Sequence, residues 1–179
     1  MVTSEPKRIG LTVEVKPHAY DPAMRPELFE GVLARRLIAF FIDLLIVTIP
    51  IILFALFIFL FGLITFGVGW LLYWLFSPLA VIWVLVYYGV TLGSTASATI
   101  GMRLMDLEMR TWYGAPAYFV LGAVHVVVYW ITVSIFTPLI LLVGFFNDRR
   151  RLLHDMFVGT IVINNDIRAA ALRQPGSRP

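Results

Sequence analysis

Three long apolar runs, separated by short polar stretches, set the pattern of this chain. Leu37 to about Gly62 is apolar apart from Asp43 and Thr48, and Trp70 to about Leu92 carries no charge. Each run exceeds the roughly 20 residues that a helix needs to cross the hydrocarbon core of a bilayer, so each predicts a membrane span. Pro26 suits a first helical turn, and Glu27 and Glu30 suit the positive end of a helix dipole, so the first helix is expected to start there, partly in the interface. Pro50 and Ser77-Pro78 are places for a kink. Trp70, Tyr73, Trp74 and the pair Tyr87-Tyr88 sit where aromatic belts would meet two interfaces, or where bundle packing would use them. The third run, Ala117 to Phe146, contains no Asp, Glu, Lys or Arg. As a single helix it would be about 45 Å long, too long for one upright span and too short for two.

The polar stretches alternate differently. Met102 to Arg110 interleaves apolar with charged residues, the period of a strand with one wet face; Ile9 to Lys16 alternates like a short strand in the N-terminal segment, and Val158 to Asn164 reads as another short strand. Gly93 to Gly101 is small and polar, fit for close backbone approach or hydroxyl capping. Trp112 to Pro116 reads as a turn. The expected organisation is a polar tail over 1–25, a transmembrane domain over 26–166 and a disordered tail over 167–179. The expected fold is an all-α integral membrane bundle: two long spans, a third long or broken re-entrant segment, and a small cytoplasmic β element.

Composition sharpens this reading. Of 179 residues, 60% are hydrophobic and the mean hydropathy is +0.87, more apolar surface than a soluble domain of this length hides. There is no cysteine, which excludes disulfide and thiol chemistry. The net charge of +3 comes from basic residues that flank apolar runs. That placement points to anionic lipid headgroups and away from nucleic acid. No cleavable signal is visible, so the first span is expected to act as the targeting signal and stay in place.

Charge also predicts orientation. Arg35-Arg36 hold the start of the first span inside, the uncharged Ile64–Gly69 loop lies outside, and Arg103 and Arg110 return inside. Three plain spans would put Arg149-Arg150-Arg151 outside, against the rule. A hairpin breaking near Pro138 returns them inside, with its irregular backbone buried in protein. Both termini are then cytoplasmic, and the two strand-like pieces share a side where they can pair.

Few residues offer chemistry. Asp43 is the only charged residue between Arg36 and Arg103. A lone carboxylate in an apolar helix costs roughly 2.5–3.5 kcal/mol on insertion scales, so it needs a partner, as an ion or proton site or as a structural pair. Arg36, on the same helical face, is an interfacial anchor or a pairing residue. His125 stands as far into its run as Asp43 stands beyond Arg36, and is a candidate cross-helix partner of Asp43, alongside a cation from the Arg149–Arg151 end; the competing reading is a histidine hydrogen-bonded to backbone or to a Ser/Thr hydroxyl. His154-Asp155 are adjacent, too few for a metal site, and are expected to cap a helix or anchor a sheet. Arg149, Arg150 and Arg151 are expected as lipid-headgroup anchors. There is no nucleotide loop, no nucleophile–base arrangement and no zinc spacing. No cofactor, no metal and no enzymatic activity are therefore expected.

Three pieces in order carry a family resemblance over about residues 26–166. They are Arg36 through Ala39 to Asp43; Gly93-Ser94-Thr95 with Gly101-Met102-Arg103-Leu104-Met105-Asp106; and Leu153-His154-Asp155 followed by Gly159-Thr160-Ile161-Val162-Ile163. The pattern resembles the RDD family of small bacterial membrane proteins, named for an arginine and two aspartates. The resemblance implies Arg36, Asp43 and Asp155 as signature residues, a place in the inner membrane, and transport as the usual suggestion, with sodium/proton antiport proposed for some members. The chain departs from the family in two places. Ser97 and Ala98 stand where a glycine and a lysine usually continue the central motif. No arginine occurs between Arg110 and Arg149, where many members carry one, and His125 could supply that cation. The expected function is transport-associated, in a homo-oligomer or with another membrane protein; the alternative is a structural or assembly subunit.

Overall fold

In the computed structural model the described residues are 19–136 and 139–173. Helix α1 runs from Val32 to Ile64, about 50 Å, and continues through Pro50. It starts later than the expected Pro26: Pro26–Leu28 forms a short 3-10 helix, and Gly31, at φ +67°, separates the two. Glycine is the residue that takes this left-handed conformation without steric cost. A second 3-10 helix, Val68–Leu72, leads into α2, Tyr73–Leu92. Thr65 ties the tip between α1 and α2, its hydroxyl donating to the Phe61 carbonyl and accepting from the Gly69 N–H.

Three hydrogen bonds fix the register of this antiparallel pair. Tyr73 donates to the Ala55 carbonyl at 3.1 Å, Trp83 Nε1 to the Val47 carbonyl at 3.2 Å, and Tyr87 to Asp43 Oδ1 at 2.6 Å. Asp43 is therefore level with Tyr87, and α2 ends five residues later at Leu92, about 7.5 Å further along. A helix of 20 residues just fills a hydrocarbon core of about 30 Å. Asp43 thus stands about 7.5 Å short of the level at which α2 ends, and Arg36, about 10.5 Å back along α1, lies just beyond that level.

Polar structure collects at this end. Thr99 caps α3, Ile100–Leu104, its hydroxyl accepting from the Met102 N–H. The expected strand from Met102 is corrected here: its first residues are helical because Thr99 offers this cap and Gly101 lies flat against α1, where a Cβ would strike the Ala39 carbonyl. Strand β1, Leu107–Thr111, pairs antiparallel with β2, Thr160–Asn164, with Met109 opposite Val162 and Arg110 opposite Ile161. β2 is buried along its whole length. Val162 packs with Val32, Ala39, Leu92, Leu107, Met109 and Ala117, while Ile161 and Ile163 pack with Leu28, Phe29 and Ala169.

The third apolar run forms α4, Phe119–Phe136, and α5, Leu139–Phe146. The expected break at Thr137-Pro138 lies outside the described residues. The start of α4 packs on Gly89 and Gly93 through Phe119, near the end of α2. Gly144 of α5 lies against Leu33, at the start of α1, and Leu152. Both ends of the run therefore return to the polar end of the molecule.

After α5 the chain passes through Asn147–Arg151 into α6, Leu153–Val158, which Gly159 closes at φ +74°. The expected disordered tail from 167 is also corrected. Asp166–Arg173 is a helix, α7. Ala169 of α7 is buried among Leu28, Phe29, Ile161 and Ile163, and Arg173 pairs with Glu27 at 2.9 Å. The strand-like Ile9–Lys16 and the residues after Arg173 lie outside the described residues.

Candidate functional site

The polar end holds two buried carboxylates, and different elements satisfy each. Asp43 is 3% exposed. Its Oδ1 accepts from the Tyr87 hydroxyl and, at 2.8 Å, from the Gly101 N–H; its Oδ2 accepts from the Thr99 hydroxyl at 2.5 Å. Three donors from α2, the loop after it and α3 converge on one α1 side chain. Of the candidate partners, His125 does not reach Asp43. The stretch Gly93–Gly101 folds back under α1 and supplies hydroxyl and main-chain donors before α4 can reach the carboxylate.

Asp155 is fully buried in α6. Arg36 meets it with two parallel hydrogen bonds, Nη1 to Oδ2 at 2.5 Å and Nη2 to Oδ1 at 3.1 Å. This fork geometry is the strong form of an ion pair. The same Oδ2 accepts from the Leu152 N–H at 2.9 Å, so Asp155 also caps its own helix. Burial alone would raise the carboxyl's pKa. The Arg36 guanidinium overrides that and holds it well below the usual carboxylate range.

His125 is placed here and not beside Asp43. Its Nε2 stands 3.8 Å from Asp155 Oδ1, and its Nδ1 is 3.3 Å from the Thr160 hydroxyl. His154 Nε2 is 3.5 Å from the same Asp155 oxygen, and its ring packs edge-on against those of His125 and Tyr129. Burial pushes the His154 imidazole down to about 3, against the pull of Asp155, so the ring is neutral at ordinary pH. Its Nδ1 is buried with no hydrogen-bond partner among the described residues.

The arginines expected as headgroup anchors have protein partners. Arg149 donates to the Tyr20 carbonyl, Arg150 to the Phe145 carbonyl, and Arg151 to the carbonyls of Thr160 and Asp155. They bind the turn between α5 and α6 to its surroundings, and each stays partly exposed.

A second ionic group has no counterpart in the sequence reading. Arg35 donates to Asp106 and to Asn164 Oδ1, both at 3.1 Å, while the Asn164 amide donates to the carbonyls of Glu27 and Glu30. Asn164 is fully buried at the end of β2. A polar residue closing an apolar strand was the one available signal.

The bare helices complete the description. Leu45, Ile52, Leu53, Phe57, Val81 and Ile82 are each more than half exposed on α1 and α2. Exposure on this scale, on two helices long and apolar enough to cross a bilayer, defines an integral membrane protein with its polar groups gathered at one end. The chain belongs to the RDD family, whose model matches residues 31–159. Comparison with curated proteins and with solved structures finds no match. The match spans all three signature residues. The fold joins Arg36 to Asp155 and gives Asp43 a separate set of partners.

Proposed function

We propose that this protein is a non-enzymatic, multi-pass subunit of the cytoplasmic membrane that binds another membrane protein or copies of itself, and does not carry a solute alone. The observation behind this reading is the state of Asp43. A coupling-ion site in a carrier needs free polar groups meeting near mid-depth. Asp43 lies near the edge of its span and is already served by three donors. The bare faces of α1 and α2 offer lipid or partner helices a large apolar surface.

A transport-associated role is the second reading. It draws on the buried cluster of Arg36, His125, His154 and Asp155, since such groups often mark ion pathways. Flux in vesicles containing the purified protein alone separates the two. The subunit reading expects no ion-dependent flux above protein-free vesicles, together with recovery of the chain in a larger membrane complex after gentle solubilisation. Flux that disappears in Asp43→Asn while the variant stays folded would overturn it.

The same reading places both termini in the cytoplasm and makes 117–146 a re-entrant hairpin. Support comes from the return of Gly144 to Leu33 and from the basic residues at that end. A reporter active only in the periplasm, fused after Asn165, is expected to be silent. Strong activity would favour three plain spans. Anionic lipid remains the expected surrounding, with no role for nucleic acid.

A further inference from the structure

We propose that His125, His154 and Asp155 form a three-donor site for a divalent transition-metal ion of the zinc class. In the sequence, His154-Asp155 lacked a third ligand. The fold supplies it from α4, and the three donor atoms lie within 4.8 Å of one another. His154 Nε2 and His125 Nε2 stand 3.5 and 3.8 Å from Asp155 Oδ1. Those distances are too long for good hydrogen bonds. They are near the roughly 3.4 Å that separates neighbouring ligands around a tetrahedral ion with bonds of about 2.0–2.1 Å. Two imidazole nitrogens and one carboxylate oxygen thus gather within 4.8 Å of one another.

Two of the three donors have the outer partners that such ligands use, while His154 Nδ1 has none among the described residues. His125 Nδ1 lies beside the Thr160 hydroxyl, an outer partner that orients the ring and leaves Nε2 for the ion. Arg36 and the Leu152 N–H hold the carboxylate in place through its other lone pairs.

Charge then selects the ion. One carboxylate already shared with a guanidinium cannot hold calcium or magnesium, which rely on several oxygen donors. Binding must come from the two imidazoles, which suit zinc, cobalt, nickel and copper. Three protein donors leave a fourth position for water or a small anion. The site does not depend on whether the protein is a subunit or a carrier.

The test uses the full chain, purified without a polyhistidine tag, stripped with chelator and titrated with Co2+ in detergent. One equivalent of Co2+ is expected to develop the intense visible absorption of a tetrahedral centre. Zn2+ should abolish it stoichiometrically, and a large excess of Mg2+ or Ca2+ should not. His125→Asn and His154→Gln, each checked for a monodisperse folded species, should lose the absorption. If a variant fails to fold, the zinc competition on the unaltered chain decides. Absence of the band at stoichiometric Co2+, a band surviving in both folded variants, or no displacement by Zn2+ would overturn the proposal.

Discussion

At the scale of single residues, the buried pair of Arg36 and Asp155 carries the sharpest expectation. Asp155→Ala leaves a guanidinium without its carboxylate, and breaking a buried pair from one side costs roughly 3–5 kcal/mol. The double change Arg36→Met with Asp155→Leu should recover much of that, read as unfolding midpoints in detergent. Additive losses would show that the two groups do not act as a pair. Asp43 gives the opposite expectation with His125, which is no longer its partner. Asp43→Ala and His125→Ala should add, while Asp43→Asn should be milder than Asp43→Ala because an amide still accepts from Tyr87 or Thr99. A third expectation concerns acid. His154 has its ordinary value of 6.5 when unfolded and about 3 when folded, so between those values the unfolded chain takes up a proton that the folded chain refuses. Stability should therefore fall as pH drops from about 6.5 toward 3, by at most about 1.4 kcal/mol per unit for this group. Asp155, held low, begins to lose its contribution as pH falls through the ordinary carboxylate value near 3.8, so the His154 slope is read between about 6.5 and 5, above that overlap. His154→Gln in chelator-treated protein should reduce the slope; an unchanged slope would assign it to other groups.

At the scale of elements, the β pair is the part most open to a direct check. Cysteines at Met109 and Val162, which face one another in the ladder, should join through a short bifunctional crosslinker, and cysteines at Leu104 and Val162 should do so poorly because Leu104 belongs to α3. Equal yields would mean the strand begins earlier. This element also shows what the sequence disclosed. Alternation exposed β1 because a pleated backbone puts neighbours on opposite faces, while β2 stood out as a short β-branched run and is buried on both faces. The same alternation concealed α3, since Met102-Arg103-Leu104 reads equally well as either structure and only the Thr99 cap and the close approach at Gly101 decide. The two spans were plain because apolar length is enough to define them. Helix α7 was missed because it buries one small residue, Ala169, set among polar and alanine positions that look like a tail. The signature residues were visible, but their partners were not. Arg36 and Asp155 are 119 residues apart, and no local pattern reports a contact across that distance.

At the scale of the whole molecule, a bare apolar hairpin of α1 and α2 stands on a compact polar base. The first described residues, the strands, both ends of the 117–146 run and α7 all belong to that base. Its central tie has a consequence in time. Arg36 leaves the ribosome 119 residues before Asp155. At 5–20 residues per second that is a wait of about 6–24 s. Throughout that interval the two long apolar helices carry at one end an arginine that only water or phosphate can serve. Chains ending before residue 150 should therefore insert but remain incomplete at the base and be cleared faster than the full chain in a pulse-chase experiment. Equal lifetimes would show that the hairpin matures without its late partner. The ion pair would then act as a completion signal, which a nascent chain can give only once nearly all of it has been made.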